Sequence, residues 1–147
     1  MLAAAILALR VRRRGPVLVE ASAHGPARAA LDELQRVLEM GLPEKGRTRE
    51  HYDLVNAALR SFIAQRYGLA AHARTARELR RELEHAGVGA SAAQLLCEVL
   101  ADAESVRYEQ RLVSPAQAKR SMRDLIELMR KSVVAEEYEL ISTGATA

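Results

Sequence analysis

The sequence contains no tryptophan, one cysteine and few aromatic residues, and each of these absences excludes a class of protein. One phenylalanine and four tyrosines are too few for the core of a β-sandwich, which favours aromatic and β-branched residues. Cys97 has no second cysteine with which to form an intrachain disulfide, so a disulfide-stapled secreted domain is excluded. With eight glycines and four prolines, the chain is neither collagen-like nor of low complexity.

The residues that are abundant favour a single helical domain. The length of 147 residues, with 49% apolar and 28% charged residues, is typical of one folded globular unit. Alanine, leucine, arginine and glutamate dominate the composition, and all four are good helix formers. The sequence therefore predicts an all-α fold.

The formal net charge of +3 is concentrated at the beginning of the chain. Arg10, Arg12, Arg13 and Arg14 contribute four positive charges, and the remaining 18 bases and 19 acids sum to −1. The body of the protein is thus close to neutral, which argues against extensive contact with nucleic acid. Nineteen of the 22 bases are arginine, a bias that we attribute to a GC-rich bacterial genome.

Met1–Leu9 is an uninterrupted apolar run that is followed directly by the basic cluster. A secretory signal has the opposite order, with its charges before the apolar run. Nine helical residues reach about 14 Å, roughly half of a bilayer core of ~30 Å. We interpret residues 1–14 as the end of a transmembrane helix with its positive-inside flank, which predicts the bacterial inner membrane with the domain facing the cytoplasm. The alternative is a short N-terminal helix on a soluble protein.

The rest of the chain divides into a linker, a helical domain and a tail. Two Gly-Pro pairs mark residues 15–26 as a linker. Apolar periodicity predicts about five helices with short connections over residues 27–135, in an orthogonal or bundle-like arrangement, and residues 136–147 are expected to fray. We expect Thr48 to cap the second helix, and capping boxes to open the third, fourth and fifth at Thr75–Glu78, Ser91–Gln94 and Ser114–Gln117.

Residue patterns for catalysis and metal binding are sparse. Glu82 and His85 form one Glu-x-x-His pair, but a di-metal centre of the ferritin type needs a second copy. We expect His24, His51 and His72 to be surface or capping histidines, and Cys97 to be a small buried hydrophobic residue. The sequence therefore predicts a protein that is not an enzyme and binds no metal or cofactor.

Two segments, Tyr52–Leu83 and Leu95–Met129, carry a resemblance to a known family. They contain an aromatic-led helix with a Tyr-Gly stop, the motif Arg-Thr-x-x-Glu-Leu, an acidic-Ser-Val-Arg-Tyr step and a Ser-Pro helix start. In this order they resemble the soluble C-terminal helical module of BatD-type bacterial membrane proteins, which are encoded beside MoxR-type AAA ATPases and von Willebrand factor A proteins. The resemblance implies a transmembrane helix before the module, no catalytic residues, and an adaptor role with those partners.

A partner surface would be expected to use exposed arginine and tyrosine side chains, because these dominate the energetics of many interfaces. The candidates are Arg60, Arg66, Arg107 and Tyr108. Alternatively, Phe62, Tyr67 and Tyr108 are core residues. A second functional alternative is a soluble helical nucleic-acid-binding domain that uses the mildly basic last helix, Lys119 to Lys131.

Overall fold

A computed structural model describes residues 25–143, and these form an all-helical domain. The expectation of about five helices is confirmed, and no strand occurs between residues 25 and 143. The five α-helices are α1 (Gly25–Met40), α2 (Thr48–Tyr67), α3 (Ala76–His85), α4 (Ala90–Tyr108) and α5 (Pro115–Ser142), with short 3-10 turns at Pro43–Lys45 and Ala71–Ala73.

The predictions for the start of the chain lie outside the described residues. This applies to the transmembrane end at 1–14, including Arg10, Arg12, Arg13 and Arg14, to His24 and to most of the 15–26 linker. Within residues 25–143, no helix is both long enough and apolar enough to span a bilayer.

The helices pack in a bundle-like arrangement around a shared core. α1 packs against both α2 and α5, α2 also packs against α4, and α3 packs mainly on α4. Each helix contributes one apolar stripe, as expected for amphipathic helices that cover a common core. The largest fully buried side chains are Leu34, Leu42, Tyr52, Leu59, Ile63, Leu79, Leu83, Leu96, Leu100, Met122, Leu125 and Met129.

Two of the predicted helix starts agree with the structure. Thr75 and Glu78 form the full capping box, with Thr75 Oγ1 accepting from the Glu78 N–H at 3.2 Å and the Glu78 carboxylate accepting from the Thr75 N–H at 2.9 Å. Ser114 Oγ accepts from the Gln117 N–H at 3.2 Å, with Pro115 in the first helical turn. Ser114 is therefore the N-cap of α5, although only this half of the predicted box is formed.

The other two predicted caps are wrong by one or two residues. α4 starts at Ala90 because the Gly89 carbonyl accepts the first helical bond, from the Ala93 N–H at 3.0 Å. Ser91 therefore already lies inside the first turn. In α2 the Arg47 carbonyl accepts from the His51 N–H at 3.1 Å, so Arg47 is the N-cap and Thr48 is the first helical residue.

The predicted frayed tail is also wrong over most of its length, since α5 continues to Ser142. Glu136 is buried, and both of its carboxylate oxygens accept from the Ala27 N–H, at 3.1 and 3.2 Å. Ala27 belongs to the first turn of α1, where backbone N–H groups lack helical partners and favour a negative charge. The end of α5 is therefore ordered by its contact with the start of α1, and the helical domain extends from Gly25 to Ser142.

Candidate interaction site

A polar groove lies where α2, the start of α3 and the end of α4 meet. It has a volume of about 550 Å³ and is lined by residues that include Asp53, Arg60, His72, Glu104, Arg107 and Tyr108. We call it the Arg60 groove. Its three walls come from parts of the chain that are distant in sequence, so the site depends on the packing of α2 and α3 against α4.

The guanidinium of Arg60 connects the walls of this groove through hydrogen bonds. Its Nη1 donates to the backbone carbonyls of Ala71 and Arg74, and its Nε donates to Asn56 Oδ1 at 2.9 Å. Its Nη2 donates to Glu104 Oε1 at 3.0 Å. Arg60 is only 8% exposed, and the rigid fork of donors on an arginine suits several acceptors at once.

Glu104 completes the link from α4 to the start of α3. Its Oε1 accepts from the Ala76 N–H at 3.0 Å in addition to Arg60. The Ala76 N–H is one of the unpaired donors at the N-terminus of α3, where a carboxylate is favourable. The charge pair thus holds the connection before α3, and with it His72 and Arg74, against α4.

The rim of the groove is formed by the last turn of α4. Tyr108 is 74% exposed, and the Arg107 guanidinium carbon lies 5.5 Å from the centre of its ring, within range of a cation–π interaction. Arg107 is also exposed. Two side-chain types that are common at binding hot spots are therefore presented side by side at the end of a helix.

The four predicted contact residues do not form one surface in the structure. Arg107 and Tyr108 lie together at the rim of the Arg60 groove, as an interaction surface requires. The expectation that Arg60 is exposed is wrong, because its charge is buried among carbonyl and carboxylate acceptors. Arg66 lies elsewhere, beside the end of α5.

The alternative interpretation of the aromatic residues holds only in part. Phe62 is buried, and Tyr67 is partly buried and packs against the core with its ring edge-on to Phe62 at 5.9 Å between centres. Tyr108 is not a core residue. Val106, in the same last turn of α4, is buried, so Tyr108 lies on a side of the helix that faces away from the core.

Arg66 belongs to a second charged cluster, with Glu136 and Glu139. Its Nη2 donates to Glu139 at 2.7 Å, and its Nε lies 3.4 Å from Glu136 Oε1. The hydrogen bond to Glu139 raises the pKa of Arg66, and the same contact lowers the pKa of Glu139. Burial raises the pKa of Glu136, against the opposing effects of the Ala27 N–H and Arg66. This cluster joins α1, α2 and α5, and its contacts are those of a structural site.

Two buried polar side chains at the start of α2 were not foreseen from the sequence. His51 is buried rather than at the surface, and burial lowers its pKa against the opposing charge of Glu44. Tyr52 is fully buried, and burial raises its pKa to about 12. Within residues 25–143, His51 Nδ1 and the Tyr52 hydroxyl have no hydrogen-bond partner. Periodicity could have placed Tyr52 in the apolar stripe of α2, but it could not show that the preceding residue is covered as well.

Cys97 and His85 lie in different surroundings. Cys97 is buried, as expected, and burial raises the pKa of its thiol to about 11, so it carries little thiolate character. His85 is exposed at the end of α3. Among residues 25–143, no group of three or more histidine, cysteine or acidic side chains is placed to hold a metal ion.

The resemblance to BatD-type modules rests on the order of short motifs, and comparison with known proteins adds nothing to it. The chain matches no family model, no curated protein and no solved structure.

Proposed function

We propose that this chain is a non-catalytic helical interaction domain that is tethered to a bacterial inner membrane through its N-terminal segment. Its docking surface is the Arg60 groove, with Arg107 and Tyr108 as the main contacts. Following the resemblance, the proposed partners are a MoxR-type AAA ATPase or a von Willebrand factor A protein, and the domain faces the cytoplasm.

The observation that carries this proposal is the pairing of a fixed groove floor with an exposed rim. Arg60 makes hydrogen bonds to Asn56 on the same helix, to the connection before α3 and to Glu104 on α4, so the floor of the groove needs little ordering when a partner binds. Pre-organisation of this kind lowers the entropic cost of association. The exposed Tyr108 ring then offers a large contact area with few rotatable bonds.

The membrane tether is supported by the order of the first fourteen residues. Met1–Leu9 is apolar and is followed by four arginines within five positions, the arrangement of a transmembrane helix that ends on the positive side. Vesicle flotation of the full chain tests this part of the proposal independently of partner binding. A chain that stays at the bottom of the gradient would contradict the tether.

Affinity measurements with the two proposed partners test the docking surface. The full chain in detergent is titrated with a purified MoxR-type ATPase and, separately, with a von Willebrand factor A protein from the same organism. If Tyr108 is a hot spot, Tyr108→Ala weakens binding by about 2 kcal/mol, or roughly 30-fold. Arg107→Ala is expected to have a smaller effect in the same direction.

Arg123→Ala is the matched control, since Arg123 is another exposed arginine, on α5 and outside the groove. It is expected to bind like the unsubstituted chain. Failure of the unsubstituted chain to bind either protein contradicts the choice of partners. Equal losses for Arg107→Ala and Arg123→Ala indicate a general charge effect and contradict the groove.

A further inference from the structure

The last turns of α5 expose an apolar face that does not pack against the core formed by residues 25–143. Val134, Tyr138 and Ile141 are 66%, 71% and 71% exposed. They are spaced by four and three residues, so they lie on one side of the helix. The core-facing side of the same segment is formed by Met129, Val133 and Glu136. We refer to Val134, Tyr138 and Ile141 as the α5 apolar face.

This face lies at the same end of the domain as the start of α1. Gly25 is so close to Glu136 that an added Cβ would lie 2.6 Å from Glu136 Oε2. Leu140, which is also exposed, lines a cavity together with Gly25 and Pro26. The chain therefore enters the domain beside the last turns of α5.

The distance to the proposed membrane tether is short. Only residues 15–24 separate the basic cluster that ends at Arg14 from Gly25. Ten fully extended residues reach at most about 35 Å, so a tether at residues 1–14 keeps the end of α5 within that distance of the bilayer. Because a helix is only about 10 Å wide, a linker of this length is long enough for the outer side of α5 to face the lipid.

The chemistry of the face suits the interfacial region of a bilayer. A tyrosine accompanied by aliphatic side chains is typical of the boundary between headgroups and acyl chains. Arg130 and Lys131 are exposed one turn before Val134, where long basic side chains can reach lipid phosphates while their stems cover apolar surface. Of the nearby acids, Glu139 pairs with Arg66, Glu127 pairs with Arg130 at 3.8 Å, and Glu136 is buried on the opposite side of the helix. The exposed Glu137 lies at the edge of the face, between Val134 and Ile141, so binding relies on the apolar side chains rather than on net charge.

We propose that the α5 apolar face docks on the surface of the membrane to which the chain is tethered, and so fixes the orientation of the domain. This inference rests on the proposed tether. The occupant of the face is lipid, and binding is driven by burial of the three apolar side chains. The assignment gives a physical reason for an exposed patch that is otherwise unfavourable in water.

Site-specific fluorescence on the full chain tests the assignment. In a Cys97→Ala background, Ser142→Cys is labelled with an environment-sensitive dye. The chain is then reconstituted into phosphatidylcholine vesicles that contain about 20 to 30 mol% phosphatidylglycerol as the anionic lipid. We expect a blue shift of the emission and quenching by nitroxides carried on the lipid headgroups. The combined variant Val134→Ser and Tyr138→Ser is expected to lose the shift while still floating with the vesicles.

Ala116→Cys is the matched control. It lies on the same side of α5 as Val134, and 26 residues before Ser142, about 39 Å away along the helix. There the outer side carries charged residues such as Arg120 and Asp124. Its dye is expected to report water. Equal shifts at both sites indicate general adsorption to the vesicle and overturn the assignment to the α5 apolar face.

The remaining outcomes separate this inference from the proposed function. If the chain floats with vesicles but the dye at position 142 reports water, the tether stands and the docking of α5 is overturned. If the chain does not float, the tether itself fails, and the inference fails with it. A shift at position 142 that needs only a higher protein concentration and no lipid identifies a second copy as the occupant, which also overturns the proposal.

Discussion

At the scale of single residues, Arg60 has the largest number of structural partners in the groove region. Its guanidinium satisfies two backbone carbonyls, one amide oxygen and one carboxylate. In sequence it is one of 19 arginines, and its position within an otherwise amphipathic helix gives no indication that it is buried. The interaction forms because the 3-10 turn Ala71–Ala73 brings carbonyl groups over α2.

Removal of the Arg60 charge should therefore destabilise the fold. In Arg60→Leu the Glu104 carboxylate and the Ala71 and Arg74 carbonyls lose their donor. Uncompensated buried polar groups of this kind cost about 3 kcal/mol. Urea unfolding followed by circular dichroism measures the change in the free energy of unfolding.

Arg80→Leu provides the control for that experiment, since the Arg80–Glu84 pair is about half exposed on both sides. Such surface pairs contribute about 0.5 kcal/mol. Similar losses in the two variants would contradict a structural role for Arg60.

His51 predicts a dependence of stability on pH. Burial lowers its folded-state pKa below the ordinary value of 6.5, so the unfolded state binds the proton more tightly. The contribution of His51 to stability is therefore complete above pH 6.5 and is lost as the pH falls through the folded-state pKa. In His51→Leu the loss of stability below pH 6.5 should be smaller, because no buried group needs to be protonated.

Unfolding free energies at pH 7.5 and pH 5 measure this difference. At pH 7.5 the variant should lie within about 1 kcal/mol of the unsubstituted chain, because an unpartnered polar group is replaced by an apolar one. His72→Leu, at an exposed position, is the control. An unchanged loss on acidification in His51→Leu would refute the assignment.

At the scale of secondary-structure elements, the helix starts show where a local sequence motif is sufficient to predict the N-cap residue. Thr75 and Ser91 carry the same kind of motif, yet only Thr75 caps a helix. Thr75 itself has an extended backbone and precedes the first helical residue, which gives its side chain access to the Glu78 N–H. Ser91 follows Gly89 and Ala90, which have already begun the first turn. The motif alone does not distinguish these two situations.

Alanine substitution at the two positions should therefore give different results. Thr75→Ala removes the side-chain half of the capping box and is expected to cost about 1 kcal/mol. Ser91→Ala should change stability by less than about 0.5 kcal/mol, because alanine is the better helix former inside a helix. Thermal and urea unfolding of both variants measure the contrast, and a cost at Ser91 equal to that at Thr75 would contradict the observed start of α4.

At the scale of the whole molecule, the first and last helices of the domain contact each other at their outer ends. The last turns of α5 reach the first turn of α1 and the end of α2 through Glu136 and Glu139. Ala27 and Glu136 are separated by 109 positions in the chain. This contact gives the region after residue 135 a structural role.

Truncation tests that closure. A chain ending at Ala135 loses the carboxylate that accepts from the Ala27 N–H, and hydrogen bonds to charged groups contribute about 1.5 to 3 kcal/mol. A chain ending at Thr143 should retain full stability. Glu136→Gln, which keeps an acceptor for the Ala27 N–H, should cost less than the truncation. Urea unfolding compares the three, and equal stability of the two truncated chains would show that α5 is not needed beyond residue 135.

Composition and local spacing were sufficient to predict the helical class, the approximate number of helices, the Thr75 and Ser114 caps and the burial of Cys97. These features depend on composition, local spacing and contacts within a few residues, all of which can be read along the chain. The same local information selected Arg107 and Tyr108 as contact candidates, but it did not distinguish the exposed Tyr108 from a core residue.

Three features became evident only from the packing of the helices: Arg60 and His51 are buried, Arg66 lies apart from the groove, and α5 continues through Glu136. Each of these outcomes depends on a partner that is distant in sequence or on the packing of neighbouring helices, such as Glu104 for Arg60 and Ala27 for Glu136. A charged side chain is stable inside a protein only when specific partners meet it there. Those partners are supplied by the packing of the helices, which the local pattern of residues does not encode.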